Sequence, residues 1–290
     1  MSLIFKKEHF DIIIKYINIC CPAKRKPKYS NEYYLKNIFT LLHDVNSWRA
    51  LRTTIAYKNG NLVNKSDQDI MKDNHFKTIW AKFKLWIDKG IFEKVEEEIR
   101  KTKVNNLEND NKLDLIIDAT NIINKNGIEC IGYGSENRKK QFTKLTVISD
   151  KNANAISIIH HETNKKCVQL AENKTKIINT LQHDIRGVIP SINKIKTNKE
   201  IILCGDAGYI VNDENKNKLK QTYNTTLITP YKKNQKKTNT EIEKQIIKKR
   251  PTVERAICKI KRFNRIHVRR DQKIRTYMGF VYIAYIFLSI

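Results

Sequence analysis

Residues 113–119 read LDLIIDA and residues 201–209 read IILCGDAGY. Each opens as a short apolar run rich in Ile and Leu, and each delivers an aspartate, Asp118 or Asp206, followed by small residues. Runs this short between polar segments suit buried strands rather than helices. Working outward, Phe142–Ser149 (FTKLTVIS) and Ala155–His160 (AISIIH) read as two more strands, with a turn at Asp150-Lys-Asn-Ala-Asn154 between them. Thr225–Thr229 reads as a fifth. Glu172–Asp184 reads as a helix, and the Lys/Asn/Thr-rich residues 231–249 as a mobile loop. From Pro251 onward the pattern is helical, with proline at a first helical position. Strands followed by helices predict an α/β domain, a mixed sheet flanked by helices.

The chain before this region has a different period. Glu32–His43 (EYYLKNIFTLLH) and Phe76–Ile99, the latter broken once at Gly90, repeat their apolar residues at helical spacing. Trp80, Phe83 and Trp86 lie three apart and read as a core stripe. The polar run TKVNNLENDNK at 102–112 reads as a linker. The expected organisation is a small helical module at 1–105 followed by the sheet domain at 106–290.

At 290 residues, 40% hydrophobic and 30% charged, the chain has enough apolar sequence for a core, which excludes a disordered polyelectrolyte. The 56 Lys+Arg against 30 Asp+Glu leave +26, with a pI near 9.8. Such an excess calls for a polyanionic partner, and nucleic acid is the expected one, ahead of a membrane surface. The six cysteines (20, 21, 130, 167, 204, 258) show no CxxC and no paired Cys/His spacing. That argues against a zinc site or a disulfide framework and fits a reducing compartment. The opening MSLIFKKEHF lacks the apolar region of a secretion signal, so an intracellular location with access to DNA is expected. Tyr277–Ile290 is apolar but, at 14 residues, too short for a membrane span; it reads as a buried terminal helix.

Three acids stand out by context. Asp118 and Asp206 fall at strand ends, where α/β sheets open their ligand crevices. Glu254 lies in the first turn of the helix begun by Pro251. Singly, each reads as an ordinary strand-end or helix-start acid, and the helix dipole favours Glu254 in any case. Together, three hard oxygen donors suit Mg²⁺ or Mn²⁺, and two such ions can activate a water or a 3′-hydroxyl against a phosphodiester. Asp114 shares a strand face with Asp118 and reads as a strand-start residue or a spare ligand. Residues 231–275 hold 17 Lys+Arg against 4 Asp+Glu, a net +13 and half the charge of the whole chain. On one continuous helix Glu254, Lys261 and Arg265, seven and eleven apart, share a face, placing a carboxylate beside phosphate-binding cations. The segment Asn137–Lys144 (NRKKQFTK) offers further cations near the sheet, among them Lys139, Lys140 and Lys144. His160 and His161 are adjacent and face opposite ways, His183 and Asp184 read as a helix end, and Gly132-Tyr-Gly134 lacks the spacing of a phosphate loop.

These residues resemble the DDE transposases of the bacterial insertion-sequence four/five superfamily, whose catalytic domain is RNase H-like. In that family a first Asp at a strand end precedes small residues, as in Asp118-Ala-Thr120. A T-K-L strand and a D-x-x-G turn follow, here Thr143-Lys-Leu145 and Asp150-Lys-Asn-Ala153, with the glycine replaced. The second Asp sits in D-x-G-Y, matched by Asp206-Ala-Gly-Tyr209. The C-terminal pattern R-P-x-V-E-R, then K-R-F-R-R and a late aromatic-aliphatic helix, is matched by Arg250–Arg255, Lys261-Arg-Phe-Asn-Arg265 and Tyr277–Leu288, with Asn264 where the family favours Arg. Arg250, Glu254 and Lys261 also meet the R-(3)-E-(6)-K spacing of a related signature, whose preceding tyrosine is Ile247 here. Asn46-Ser-Trp-Arg49 and Trp80–Phe92 are similar, more loosely, to the family's helical module.

The resemblance implies that Asp118, Asp206 and Glu254 bind two Mg²⁺ or Mn²⁺ ions. It implies that Arg250, Arg255, Lys261, Arg262 and Arg265, with Lys139, Lys140 and Lys144, contact DNA. Water would cut at the element's ends and the freed 3′-hydroxyl would attack target DNA, with a homodimer allowed. The alternatives are a degenerate copy that holds DNA without moving it, and a nuclease without strand transfer.

Overall fold

The computed structural model describes residues 7–23, 29–43, 48, 55–58, 61–64, 76–107, 112–133, 140–170, 174–231 and 238–289. Its contacts divide the chain into two compact units, 1–99 with 125–127 and 260–290, and 100–124 with 128–259. Residues 260–290, expected with the sheet, therefore group with the N-terminal helices.

The N-terminal part of the first unit contains α1 (Lys7–Cys20), α2 (Asn31–His43), a hairpin of β1 (Ile55–Lys58) and β2 (Asn61–Asn64), α3 (Phe76–Asp88) and the start of α4 (Ile91–Asn106). The helical break falls at Gly90, whose φ of 65° is a left-handed value that costs a glycine little. On α3, Phe83 and Trp86 are buried, with Trp80 half-buried at the end of the same stripe. The linker expected at 102–112 starts later than its polarity suggests. Residues 102–106 continue α4 because Val104, 3% exposed, packs into the core of the sheet unit.

The second unit is built on β3 (Lys112–Asn124), β4 (Gly132–Tyr133), β5 (Gln141–Ser149), β6 (Ala155–His160), β7 (Thr163–Leu170), β8 (Lys174–Leu181), β9 (Glu200–Cys204) and β10 (Thr225–Ile228). Its helices are α5 (Val188–Ile195), α6 (Asp213–Tyr223), α7 (Glu241–Lys248) and most of α8 (Pro251–Lys261). The strands run in the order β10-β9-β3-β5, with β6 on the far side of β5; β3, β5 and β6 are antiparallel, and β9 and β10 run parallel to β3. This is an RNase H-like mixed sheet. At the start of β5, β4 pairs in place of β6 and leads the sheet outward to β8 and β7.

Two expectations fail here. Residues 174–181, read as helical, form β8, antiparallel to β7 from Thr163↔Leu181 to Leu170↔Lys174. Their β-branched residues Thr175, Ile177, Ile178 and Thr180 suit a strand once a partner exists, and the partner is remote in the pattern. Residues 241–248, read as loop, form α7, opened by a capping box in which Thr240 and Glu243 serve each other's backbone N–H. Residues 232–237 of that stretch lie outside the described residues. The Asp150 turn is as expected: its carboxylate accepts the N–H groups of Asn152 and Asn154 at 2.8 Å, and Ala153 adopts φ 61° where the family pattern has glycine.

Strand alternation sorts the faces. Leu113, Leu115 and Ile117 of β3, Ile148 of β5, and Ile201 and Leu203 of β9 join Val188, Ile192, Ile195 and Leu219 of α5 and α6 in one buried cluster. The opposite face of β3 carries Asp114, Ile116 and Asp118. There Lys249, between α7 and α8, lies 3.8 Å from Asp114.

The remainder of the first unit contains α9 (Asn264–His267) and α10 (Ile274–Phe287). The expected terminal helix is present, 14 residues long and buried, with Phe280 4.5 Å from Phe83 between ring centroids. Among the described residues no helix is long and apolar enough to cross a membrane.

Candidate active site

Strand register builds this site. β3 and β9 are parallel, and their last paired residues are Ile116 and Cys204. Two residues further on, each chain reaches an aspartate, Asp118 and Asp206, so the two stand side by side where β9 leaves the sheet. Asp118 remains within β3, opposite Val147 of β5. Asp206 caps a short 3-10 turn, its Oδ1 accepting the Gly208 N–H at 2.8 Å. Tyr209, buried in the α5-side core, anchors that turn. A Cβ on Gly208 would lie 2.9 Å from Asp206 Oδ1, so a side chain there would displace that carboxylate.

Glu254 arrives on α8, exposed, with Arg250 3.4 Å away one turn earlier. Burial pushes the Asp118 carboxyl up to about 6, and the charges of Asp206 and Glu254 add to the rise, while the Ala119 N–H and Arg250 oppose it. Asp118 thus feels Asp206, Arg250 and Glu254, with Arg250 the cation among them. Arg250 likewise opposes the rise that burial imposes on the Cys204 thiol, to about 11. Three carboxylates are the hard oxygen donors that Mg²⁺ and Mn²⁺ prefer, and in this structure their oxygens do not all lie within 4.8 Å of one another. Asp114 stays apart, exposed and near Lys249, as a strand-start residue.

The expected cations divide. Arg255 is exposed, and its guanidinium donates to Thr252 at 3.2 Å. Arg262 and Lys140 are exposed, and Lys261 is the half-buried last residue of α8. Lys139 lies outside the described residues. Two expectations are corrected. Arg265 is 3% exposed and forms a double contact with Asp271, at 2.7 and 3.1 Å, so it cannot meet DNA phosphates. The helix ends at Lys261 and the chain turns at Arg262–Phe263, which removes Arg265 from the face it was expected to share with Glu254. Lys144 is held internally: its ammonium donates to Asp184 at 2.5 Å and to the Gln182 carbonyl at 2.9 Å, with 13% of the side chain exposed.

Asp184, read in the sequence as a helix-end residue, starts a 3-10 turn close to Asp206. A Cβ on Gly208 would lie 3.6 Å from Asp184 Oδ2, so Asp184 and Asp206 face the same space, with Lys144 balancing the extra charge. No spacing rule links residues 144, 184 and 206. Behind them His161 Nε2 lies 2.5 Å from Thr146 Oγ1, and burial, then Lys144, lowers the His161 pKa to about 4, keeping the ring neutral.

An RNase H-like sheet with one aspartate inside β3, where the sequence led us to expect a strand end, a second just past β9, and a helix-borne glutamate defines the class. The chain belongs to the Transposase DDE domain family, which it matches over residues 110–287, well over half its length. Among curated proteins none matches. A piggyBac transposase, solved by cryo-electron microscopy as a synaptic complex with hairpin DNA, is similar at 13% identity and a TM-score of 0.35. The similarity covers 81% of this chain and 50% of that one, so the chain spans about half the length of that transposase.

Proposed function

We propose that this protein is a DDE-type DNA transposase, a polynucleotidyl transferase that cuts DNA at the ends of an insertion element and joins them to a target. The observation that carries the reading is the β3–β9 register, which brings Asp118 and Asp206 together at the sheet's crevice beside Glu254 and Arg250. Membership of the transposase family supports it.

Asp118, Asp206 and Glu254 would hold Mg²⁺ or Mn²⁺, two ions in the full reaction, which lower the pKa of an attacking water or 3′-hydroxyl and stabilise the departing oxygen. The chain itself supplies position and charge. Arg250, 3.4 Å from the Glu254 carboxylate, offers a guanidinium to a scissile phosphate. Arg255, Arg262, Lys261 and Lys140 contact the backbone phosphates of double-stranded DNA. In the first step a water oxygen bonds to phosphorus, the P–O3′ bond breaks, and the proton ends on the released 3′-hydroxyl. In the second, that hydroxyl attacks a target phosphodiester and displaces its 3′-oxygen. The helical N-terminal module would bind the element's ends or pair two copies.

The test is cleavage of a labelled duplex carrying the gene's own flanking ends, comparing wild type with Asp206→Asn, in Mg²⁺ or EDTA. Cleavage in Mg²⁺, lost in EDTA and in the variant, is expected, and a joined product separates transposition from simple nuclease action. Tight, salt-sensitive binding without cleavage would favour a copy that only holds DNA, a reading that Ile247 in the tyrosine position also favours. Cleavage unaffected by the variant would move the site elsewhere.

A further inference from the structure

Cys130, His160 and Glu162 come together at a place that the proposed reaction does not use. Cys130 lies in the connection from β3 to β4, His160 ends β6 opposite Leu145, and Glu162 sits in the short link to β7. The Cys130 thiol donates to Glu162 Oε2 at 3.3 Å, and His160 Nε2 lies 3.7 Å from Glu162 Oε1. One donor atom from each residue falls within 4.8 Å of the other two. His161 turns inward to Thr146, and His160, its neighbour, is left on the side of Cys130. Cys130 also has φ 50°, a left-handed backbone that non-glycine residues rarely adopt.

Donor chemistry narrows the ligand. Sulfur, imidazole nitrogen and one carboxylate oxygen are a mixed, borderline-soft set that Mg²⁺ and Ca²⁺ avoid and Zn²⁺ prefers. Tetrahedral zinc, with bonds of about 2.0–2.3 Å, holds its donors roughly 3.3–3.7 Å apart. Both separations match that spacing but reach different oxygens of Glu162, Oε2 from Cys130 and Oε1 from His160, so a rotation of the exposed carboxylate brings one oxygen to the ion.

We propose that Cys130, His160 and Glu162 form a binding site for a zinc-class divalent ion, with water completing the tetrahedron. Glu162 is largely exposed, which leaves a path for the ion to enter. Binding releases the Cys130 thiol proton, so affinity falls with falling pH. The ion clips the β3–β4 connection to the β6–β7 link, where the sheet branches from β5 towards β4, β8 and β7.

The experiment is Co²⁺ titration of the full chain after EDTA treatment, read by absorption. Thiolate-to-Co²⁺ charge transfer and intense tetrahedral visible bands are expected at one equivalent, displaced by Zn²⁺. They should vanish in Cys130→Ser and persist in Asp206→Asn, because an all-carboxylate site gives no thiolate band. His160→Gln and Glu162→Gln, both at the surface, should weaken binding by at least about tenfold and keep the fold observable by circular dichroism. A wild type without a thiolate band, or a band that persists in Cys130→Ser, overturns the site, whatever the outcome of the cleavage assay.

Discussion

Asp118 bears two opposed demands. The proposed reaction needs its carboxyl ionised to hold a cation, yet burial and two neighbouring acids raise it to about 6. A folded value above the unfolded one means that the group's contribution is fully present below about pH 4 and is lost as pH rises through 6. Asp118→Asn removes that penalty. Urea unfolding at pH 7.5 without divalent ions should find the variant about 2–3 kcal/mol more stable than wild type, with the gap closing toward pH 4. Added Mg²⁺ should stabilise wild type and leave the variant unmoved. A less stable variant at pH 7.5 would mean that the carboxylate's hydrogen bonds outweigh its burial. At this scale the sequence already marked Asp118, Asp206 and Glu254, because strand ends and a helix start are local features. It misplaced Arg265 and Lys144, whose partners Asp271 and Asp184 become visible only when side chains meet.

Among the elements, α7 shows a signal that was present and outweighed. Thr240 and Glu243 have capping-box spacing, but the surrounding Lys and Asn read as loop. The helix leads directly into Lys249 and Arg250, which lie at Asp114 and Glu254. Thr240→Ala should destabilise α7 by about 1 kcal/mol and speed amide hydrogen exchange across Glu241–Lys248, while the β3 and β9 amides stay protected. Equal acceleration in β3 would show that α7 and the sheet open as one unit. The β8 error had the opposite origin. Residues 174–181 have strand-forming composition, but a strand is defined by its neighbour, and β7 supplies the pairing from outside the window that a periodicity argument can see.

For the whole molecule the net charge of +26 sets the behaviour with DNA. Each phosphate that a cation neutralises releases counterions, so duplex affinity should fall by roughly a hundredfold or more between about 50 and 200 mM salt. Arg255→Ala and Arg262→Ala, at exposed positions, should each lower the salt slope by about one, as read by fluorescence anisotropy. Arg265→Ala should leave the slope unchanged and destabilise the protein by about 3–5 kcal/mol, because it strands Asp271 in the interior. A reduced slope in a folded Arg265→Ala protein would return that residue to the DNA surface.

By itself the sequence determined the sheet-and-helix class, the apolar runs that lead to Asp118 and Asp206, the buried terminal helix and the basic character, since all of these follow from local hydrophobic period and charge; that β3 continues past Asp118 to Asn124 follows from its pairing with β5. Tertiary structure alone decided that residues 260–290 join the N-terminal helices, that Arg265 is internal, that Asp184 faces Asp206, and that Cys130 meets His160 and Glu162. The physical reason is separation along the chain. Period and capping act over a few residues, whereas ion pairs, donor clusters and strand neighbours depend on distances in space that no spacing in the sequence encodes.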